Sequence, residues 1–308
     1  MTRYAFIGDI HGQHAKLQAL LTVLKTESSD WFYVFVGDLI DNKNGITDSQ
    51  LATLETVKAL VDSKKAICLM GNHEFNAIGW AMRHQKTGKP LRPHTENNRK
   101  QHQAFLDAVA EDSALHQQWI TWFQGLPLYA DFGAIRAVHA CWDEAIIQSI
   151  QPYLKANNAI ADSFWETAFE KNAPLYNMTE TLLKGPELAL PEGISFNDKT
   201  GQPRKNIRVR WWLPQAETYR ELAQVPPDAE SLIPDIPLNN GYSPLPLDIP
   251  VVIGHYTLHD QPQRLSEQVI CTDYNAAKAD HPLVAYCCTV EGRHLSSQGF
   301  ISSTGNSV

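Results

Sequence analysis

The chain has 308 residues, of which 43% are hydrophobic and 19% charged, so its composition is that of a globular protein and excludes wholesale disorder. The formal net charge of -8 gives no long-range attraction to a polyanion, which disfavours a nucleic-acid polymer as partner. No run approaches the ~20 apolar residues of a membrane helix, and no targeting segment is recognisable, so we expect a cytoplasmic protein without a membrane partner. The five cysteines form no disulfide framework or CxxC pair, so a metal site would need oxygen and nitrogen ligands.

The first part of the chain predicts strands that alternate with helices. Short apolar runs typical of strands buried on both faces lie at residues 4–7, 31–36 and 66–70. A helix is predicted between the first two by leucines that share one helix face: Leu17, Leu20, Leu21 and Leu24. A second helix is predicted to follow the candidate cap Asp48, and a third helical region covers about residues 99–123. This order favours parallel pairing of the strands.

The later part of the chain is less regular. Strands are predicted at 135–138, 251–253 and 283–286, and an alternating pattern at 207–212. The proline-rich stretch of about 149–247 lies between them. We interpret it as an inserted, cap-like region of a single domain that comprises residues 1–308.

Five of the predicted strands end in polar residues. These residues are Asp9 and His11, Asp38, Asn72, His139 and His255. In open α/β sheets, ligands lie beyond the carboxyl ends of the strands, so the five clusters are expected to converge on one site.

The residue types in these clusters are those of a metal site. Asp9 and His11, two positions apart, can bind one ion, and Asp38 could bridge two. The most specific cluster, 71–74, offers the amide oxygen of Asn72. A lone histidine after a strand is more often structural, but two metals need roughly four to six ligands each, and the series supplies about that number with water filling the remainder.

In their order, the motifs Gly-Asp-x-His-Gly, Gly-Asp-x-x-Asp, Gly-Asn-His-Glu, His and Gly-His resemble those of the calcineurin-like metallophosphoesterases. The resemblance is greatest to the phosphoprotein-phosphatase branch, which contains the eukaryotic Ser/Thr phosphatases and the bacterial diadenosine tetraphosphate hydrolases. It covers residues 4–145 and 250–290. It implies an α/β fold, in which mixed β-sheets flanked by helices form a four-layer α/β/β/α sandwich.

Carried over to this chain, the resemblance implies two metals that share one aspartate. The first would be held by Asp9, His11 and Asp38, and the second by Asp38, Asn72, His139 and His255. His73 would be the general acid, oriented by Asp41. Manganese is the favoured metal, while iron, zinc, nickel and cobalt suit the same mixed ligands, because affinity order alone does not choose among them.

One phosphate-binding residue of the family is replaced. Its motif continues with an arginine that grips the phosphate, whereas this chain has Asn42. Lys43, Arg208 and Arg210 are candidate substitutes, since cationic side chains bind phosphate oxygens. Surface residues on an edge strand are an equally good interpretation of the two arginines.

Two further features have alternative interpretations. The polar patch 92–99 is either a substrate loop or a solvated turn. Trp211 and Trp212 could stack on a nucleobase, although core packing is favoured and a strand would direct them to opposite faces.

These assignments predict a dinuclear phosphohydrolase. Two metals about 3.5–4 Å apart can share a hydroxide that attacks the phosphorus of a phosphomonoester on a protein or a small molecule, while His73 protonates the leaving group. One alternative is a hydrolase of dinucleoside polyphosphates such as diadenosine tetraphosphate. Another is a catalytically weak module that binds phosphorylated ligands. All three have a phosphorylated partner.

Overall fold

The computed structural model describes residues 2–42, 48–197, 201, 203–225, 227–238, 245–289, 296 and 298–305. The candidate Lys43 lies outside the described residues. In the described part the strands are β1 Arg3–Ile7, β2 Trp31–Phe35, β3 Ala66–Cys68, β4 Tyr129–Asp131, β5 Arg136–Val138, β6 Glu187–Ala189, β7 Phe196–Asn197, β8 Pro203–Arg204, β9 Asn206–Val209, β10 Ala223–Gln224, β11 Val251–Ile253, β12 Val269–Cys271, β13 Val284–Thr289 and β14 Phe300–Ser302.

The helices fill the connections between these strands. They are α1 His14–Glu27, α2 Asp48–Asp62, α3 Asn72–Ala81, α4 Glu96–Val109, α5 Ala114–Gln124, α6 Glu144–Ile150, α7 Trp165–Phe169, α8 Pro174–Lys184 and α9 Tyr219–Leu222. Short 3₁₀ turns cover Gln151–Tyr153, Asp162–Phe164 and Pro227–Leu232. None of the helices described is both long and apolar enough to cross a bilayer.

The largest sheet has the strand order β14-β13-β1-β2-β3. Its strands β1, β2 and β3 are parallel, with Ala5 opposite Tyr33 and Tyr33 opposite Ala66. The parallel pairing expected from the strand-helix-strand order is therefore confirmed. Strand β13 adds antiparallel to β1, and β14 antiparallel to β13.

A second sheet of four strands has the order β12-β11-β5-β4. Strand β11 runs parallel to both β5 and β12, whereas β4 is antiparallel to β5. Two smaller antiparallel sheets follow, β10-β9-β6 and β7-β8. The carboxyl ends of β5 and β11 carry His139 and His255, as those of β1, β2 and β3 carry the other clusters.

The two large sheets pack face to face. Phe6 and Val34 of the first sheet share one buried cluster with Ala137 and Val252 of the second. Because successive side chains of a strand point to opposite faces, the neighbours of these residues face outwards onto helices. Ile7 is accordingly in a cluster with the leucines of α1, and Val138 with Leu182 of α8. The result is the expected α/β/β/α sandwich.

Two local predictions need correction. The region 99–123 is not one helix but the pair α4 and α5, because Ala110 and Asp112 adopt positive φ values of 57° and 64° and the side chain of Ser113 caps α5. Trp211 and Trp212 are not on a strand, since β9 ends at Val209. Both are buried, which agrees with core packing.

The stretch 149–247 contains α7, α8, α9 and the small sheet β10-β9-β6. Its buried side chains, among them Leu182, Ile207 and Trp211, pack in the same cluster as Ile7 of β1. Whether it is an insertion in a single domain stays a prediction.

Candidate metal centre

The candidate site lies where the carboxyl ends of the two sheets meet. The turns there are unusually tight, and four of the residues in them have left-handed backbones: His11, Asp38, Asp41 and His255, with φ of 51°, 51°, 66° and 68°. Such conformations cost roughly 1–3 kcal/mol per non-glycine residue and persist only where the surroundings enforce them. Strain of this kind collects at functional sites.

The turn after β2 is held by Glu74, whose carboxylate is fully buried. Its oxygens accept the backbone N–H groups of Asp38 at 2.9 Å, Leu39 at 2.8 Å and Ile40 at 3.3 Å, and of Gly71 at 3.0 Å. The motif analysis assigned Glu74 no role. Its position at N3 of α3, where a glutamate completes a capping box, is the signal that could have revealed it.

One group of potential ligands combines Asp38, His139 and His255, whose donor atoms all lie within 4.8 Å of one another. Asn72 belongs to the same place, because its Oδ1 lies 2.7 Å from His255 Nδ1 and 3.2 Å from His139 Nε2. His139 donates its Nδ1–H to Val36 O at 2.8 Å, which leaves Nε2 to face Asp38 Oδ2 at 3.4 Å. All four residues predicted for the second metal are thus together.

A second group combines His11, Asp38 and His73, again within 4.8 Å. His11 donates its Nδ1–H to Ile40 O at 3.1 Å and keeps Nε2 free for another partner. The group contains His73 where the sequence predicts Asp9. Asp9 is buried next to it and accepts the backbone N–H of His255 at 3.1 and 3.2 Å.

The charges of these residues fit a cation. Burial, with the nearby charges of Asp273 and Asp38, raises the pKa of Asp9 well above its usual value. Burial and the charge of Arg208 lower the pKa of His255, which keeps its imidazole neutral, as a metal ligand must be. A divalent ion would compensate the carboxylates and accept the imidazole nitrogens, so the donor set suits such ions.

Asp41 links two histidines. Its Oδ2 lies 2.7 Å from His73 Nδ1, and both of its oxygens lie 3.0 Å from Nδ1 of His102. Burial alone would raise the pKa of Asp41, but the hydrogen bonds and charges of His102 and His73 hold it below its usual range. Burial would likewise lower the pKa of His73, yet Asp38 and Asp41 raise it to about 9.

His102 is a site residue that the sequence did not reveal. It is fully buried on α4 and lies 61 positions from Asp41. It follows no strand and belongs to none of the five motifs, so only the packing of α4 against the turn after β2 brings the two together. No sequence signal distinguishes it from the other histidines.

The candidate phosphate-binding residues differ in position. Arg208 on β9 donates from Nη1 to His255 Nε2 at 2.8 Å, so it reaches the centre. Arg210 donates from Nε to Gln224 Oε1 at 3.1 Å. In the patch 92–99, Arg92 donates from Nη2 to Asn98 Oδ1 at 3.2 Å and to Gln101 Oε1 at 2.9 Å, and burial lowers its pKa.

The amino-acid sequence is similar to that of a known protein family. The sequence model of the calcineurin-like phosphoesterase family matches residues 2–179, which is more than half of the chain. A symmetrical bis(5'-nucleosyl)-tetraphosphatase of Chromohalobacter salexigens is 38% identical over 95 residues, which are 30% of this chain and 32% of that protein. The aligned stretch thus spans about a third of the length of that relative.

One solved structure shows the same fold, and a second is similar at a lower score. A cold-active protein tyrosine phosphatase aligns over 93% of this chain and 74% of its own, with 14% identity and a TM-score of 0.50. A protein serine/threonine phosphatase from Saccharomyces cerevisiae aligns over 98% and 78%, with 12% identity and a TM-score of 0.48. At such identities the likeness concerns the fold alone.

Proposed function

This chain belongs to the calcineurin-like phosphoesterase family, and from that premise we propose that it hydrolyses phosphomonoesters, on proteins or small molecules, at a centre of two divalent metal ions. The observation that carries the proposal is the pair of side-chain groups that share Asp38, one with His11 and His73 and one with His139 and His255. A shared carboxylate between two such groups suits two adjacent cations.

We assign Asp9, His11 and Asp38 to the first ion, and to the second Asp38, Asn72, His139 and His255. Manganese is the favoured ion, and iron, zinc, nickel or cobalt would fit the same donors. The chemistry that these ions supply when bound is Lewis acidity and a water nucleophile of lowered pKa. The role of the chain is to fix the ligand nitrogens through second hydrogen bonds, as Val36 O does for His139.

His73 is the proposed general acid. The pKa of about 9 leaves it protonated at neutral pH, and its Nδ1–H is held by Asp41 at 2.7 Å. Its Nε2 therefore points into the centre, 3.9 Å from Asp38 Oδ2. As water adds to phosphorus and the bond to the leaving oxygen breaks, Nε2 gives its proton to that oxygen, a step worth about 10²- to 10⁴-fold in rate.

Arg208 is the candidate that best compensates for Asn42. Its guanidinium lies at the edge of the centre, where a forked donor can bind phosphate oxygens. Lys43 and Arg210 stay predictions as phosphate contacts.

A second candidate function is hydrolysis of a dinucleoside polyphosphate. It is favoured by the bis(5'-nucleosyl)-tetraphosphatase with 38% identity over 95 residues. A module that only binds phosphorylated ligands is disfavoured, because the ligand residues, His73 and Asp41 are all present.

The test is hydrolysis of p-nitrophenyl phosphate with added Mn²⁺, for the wild type beside His73→Asn and Asp38→Asn. We expect metal-dependent turnover that falls at least about 100-fold in both variants. Only Asp38→Asn should also lose bound metal. Metal loss in His73→Asn would instead make His73 a ligand. The rates of hydrolysis of a phosphopeptide and of diadenosine tetraphosphate then distinguish the two candidate functions.

A further inference from the structure

A groove of about 460 Å³ adjoins the candidate metal centre and shares Arg208 with it. We call it the β9 groove. Besides Arg208 it is lined by two further cationic side chains, Arg204 and Lys205, by one carboxylate, Glu187, and by apolar atoms of Phe196 and Val225. Of these lining residues, only Arg208 is among the substrate contacts proposed above.

The alternation of β9 explains why this face is polar. Ile207 and Val209 are buried on the inner face of the small sheet, at 0% and 1% exposure, so Arg208 between them points to the opposite face. There Glu187 of β6 and Gln224 of β10 are its cross-strand neighbours. The strand register thus fixes Arg208 at the place where the groove meets His255.

The charge of the groove contrasts with that of the molecule. Of the described residues that line it, three are cationic and one is a carboxylate, in a chain whose net charge is -8. Arg208 also has an unsatisfied hydrogen-bond donor, because within the described residues its buried Nε has no hydrogen-bond partner. An arginine with an unsatisfied donor, in a cationic groove beside the candidate metal centre, suits an anion.

We propose that the β9 groove binds the leaving group of the substrate and selects leaving groups that carry a phosphate chain of their own. This inference rests on the metal-dependent hydrolysis proposed above and makes polyphosphate anhydrides, whether bare or attached to a nucleoside, the preferred substrates in place of simple phosphomonoesters. Water adds to the phosphorus at the metal centre and the P–O bond of the anhydride breaks. The shortened phosphate chain then leaves along Arg208 towards Lys205 and Arg204.

The dimensions of the groove agree with a chain of phosphates. Residues on one face of a strand repeat about every 6.7 Å. Arg208 and Arg204, which lies beyond Asn206, therefore span a distance longer than one phosphate group. A simple aryl ester has no second anion to place there. The groove should therefore affect anhydrides much more than p-nitrophenyl phosphate.

The experiment measures kcat/KM for p-nitrophenyl phosphate, tripolyphosphate and adenosine triphosphate with Mn²⁺ in excess. The proteins are the wild type, Lys205→Gln, the double variant Arg204→Gln/Lys205→Gln, and the control Lys171→Gln, which removes an exposed lysine away from the groove. In the double variant we expect kcat/KM for both anhydrides to fall about tenfold relative to p-nitrophenyl phosphate. The control should keep the wild-type ratio of kcat/KM for the anhydrides to kcat/KM for p-nitrophenyl phosphate.

Each other outcome contradicts the inference in a different way. An unchanged ratio, with p-nitrophenyl phosphate still hydrolysed, overturns the β9 groove and leaves the proposed function standing. A loss confined to adenosine triphosphate shows that the groove recognises the nucleoside and overturns the phosphate-chain assignment. A wild type that hydrolyses none of the three compounds with any of the favoured metals overturns both proposals.

Discussion

At the scale of single residues, the proposed general acid depends on one carboxylate. Asp41 accepts from His73 at 2.7 Å and from His102 at 3.0 Å, and its left-handed backbone directs it between them. Its backbone N–H is in turn held by Gln50 Oε1 at 2.9 Å. With its carboxylate fixed from two sides, Asp41 can set both the orientation and the pKa of His73.

The first prediction concerns the pH dependence of turnover. A histidine with a raised pKa keeps its proton below that pKa and loses it as the pH rises through it, so activity that needs His73 protonated falls on the basic side of the pH profile. Asp41→Asn removes a charge that raises this pKa. We expect the basic limb of the kcat profile to move to lower pH and kcat to fall about 10- to 100-fold. An unmoved limb would contradict the role of Asp41.

The second prediction concerns His102 as a positioning residue. His102→Phe removes the hydrogen bond to Asp41 but keeps a ring of similar size, so we expect kcat to fall about tenfold while KM changes less than about twofold. His102→Gln keeps an N–H donor and should recover part of kcat. Equal activity of the two variants would show that His102 acts only through packing.

At the scale of elements, the strand-to-helix turns are tied to one another. Glu74 at the start of α3 accepts backbone N–H groups of the turn after β2, and so joins the ends of β2 and β3. The backbones of the two turns approach each other too closely for a side chain between them, since a Cβ on Gly37 would lie 2.6 Å from Gly71 Cα. This is why glycine precedes both Asp38 and Asn72.

The third prediction tests this tie. Glu74→Gln keeps the shape but replaces one acceptor oxygen by a donor that faces backbone N–H groups. We expect the metal-free protein to lose about 1–3 kcal/mol of unfolding free energy, because a buried N–H group left without an acceptor costs about that much. Urea unfolding in the presence of a chelator measures it. The exposed Glu55→Gln, within α2, is the control and should change stability by less than about 0.5 kcal/mol.

At the scale of the whole molecule, folding concentrates buried carboxylates at one end of the sandwich. Asp9, Asp38, Glu74 and Asp273 are all buried there. The two sheets that carry them are held together by apolar side chains such as Phe6 and Val252. The stability of that packing allows the chain to hold like charges close together until cations compensate them.

The fourth prediction follows from the pKa of Asp9. An acid whose pKa is raised on folding binds a proton more tightly in the folded state, so the metal-free protein loses stability as the pH rises above the unfolded value. Asp9→Asn should remove this pH-dependent loss of stability and stabilise the metal-free protein at neutral pH by about 1 kcal/mol. With Mn²⁺ the order should reverse. Thermal unfolding of the wild type and the variant, with and without metal, measures these stabilities. A variant that is less stable under both conditions would refute this interpretation.

Much of this architecture is present in local sequence patterns. Strand and helix positions follow from periodicity, which depends on neighbours a few residues apart, and the glycines before Asp38 and Asn72 mark turns that sequence alone identifies. The break at Ala110 falls inside a region with helical character on both sides, and the cap Ser113 is the local sequence signal that marks the start of α5. The buried pair Trp211 and Trp212 was assigned to a strand because the alternating pattern of 207–212 continues past the end of β9.

By itself the sequence determined the alternation of strands and helices and the order of the motifs, and the family resemblance of these motifs implied the α/β sandwich. The candidate ligands could be expected to meet because each follows a strand and strand ends converge. Only the tertiary structure decided which groups stand next to them: His102 beside Asp41, Arg208 beside His255, and His73 rather than Asp9 in the compact group with His11. These contacts join residues about 50 or more positions apart in most cases, and they depend on how α4 and β9 pack. Local sequence periodicity does not predict such packing.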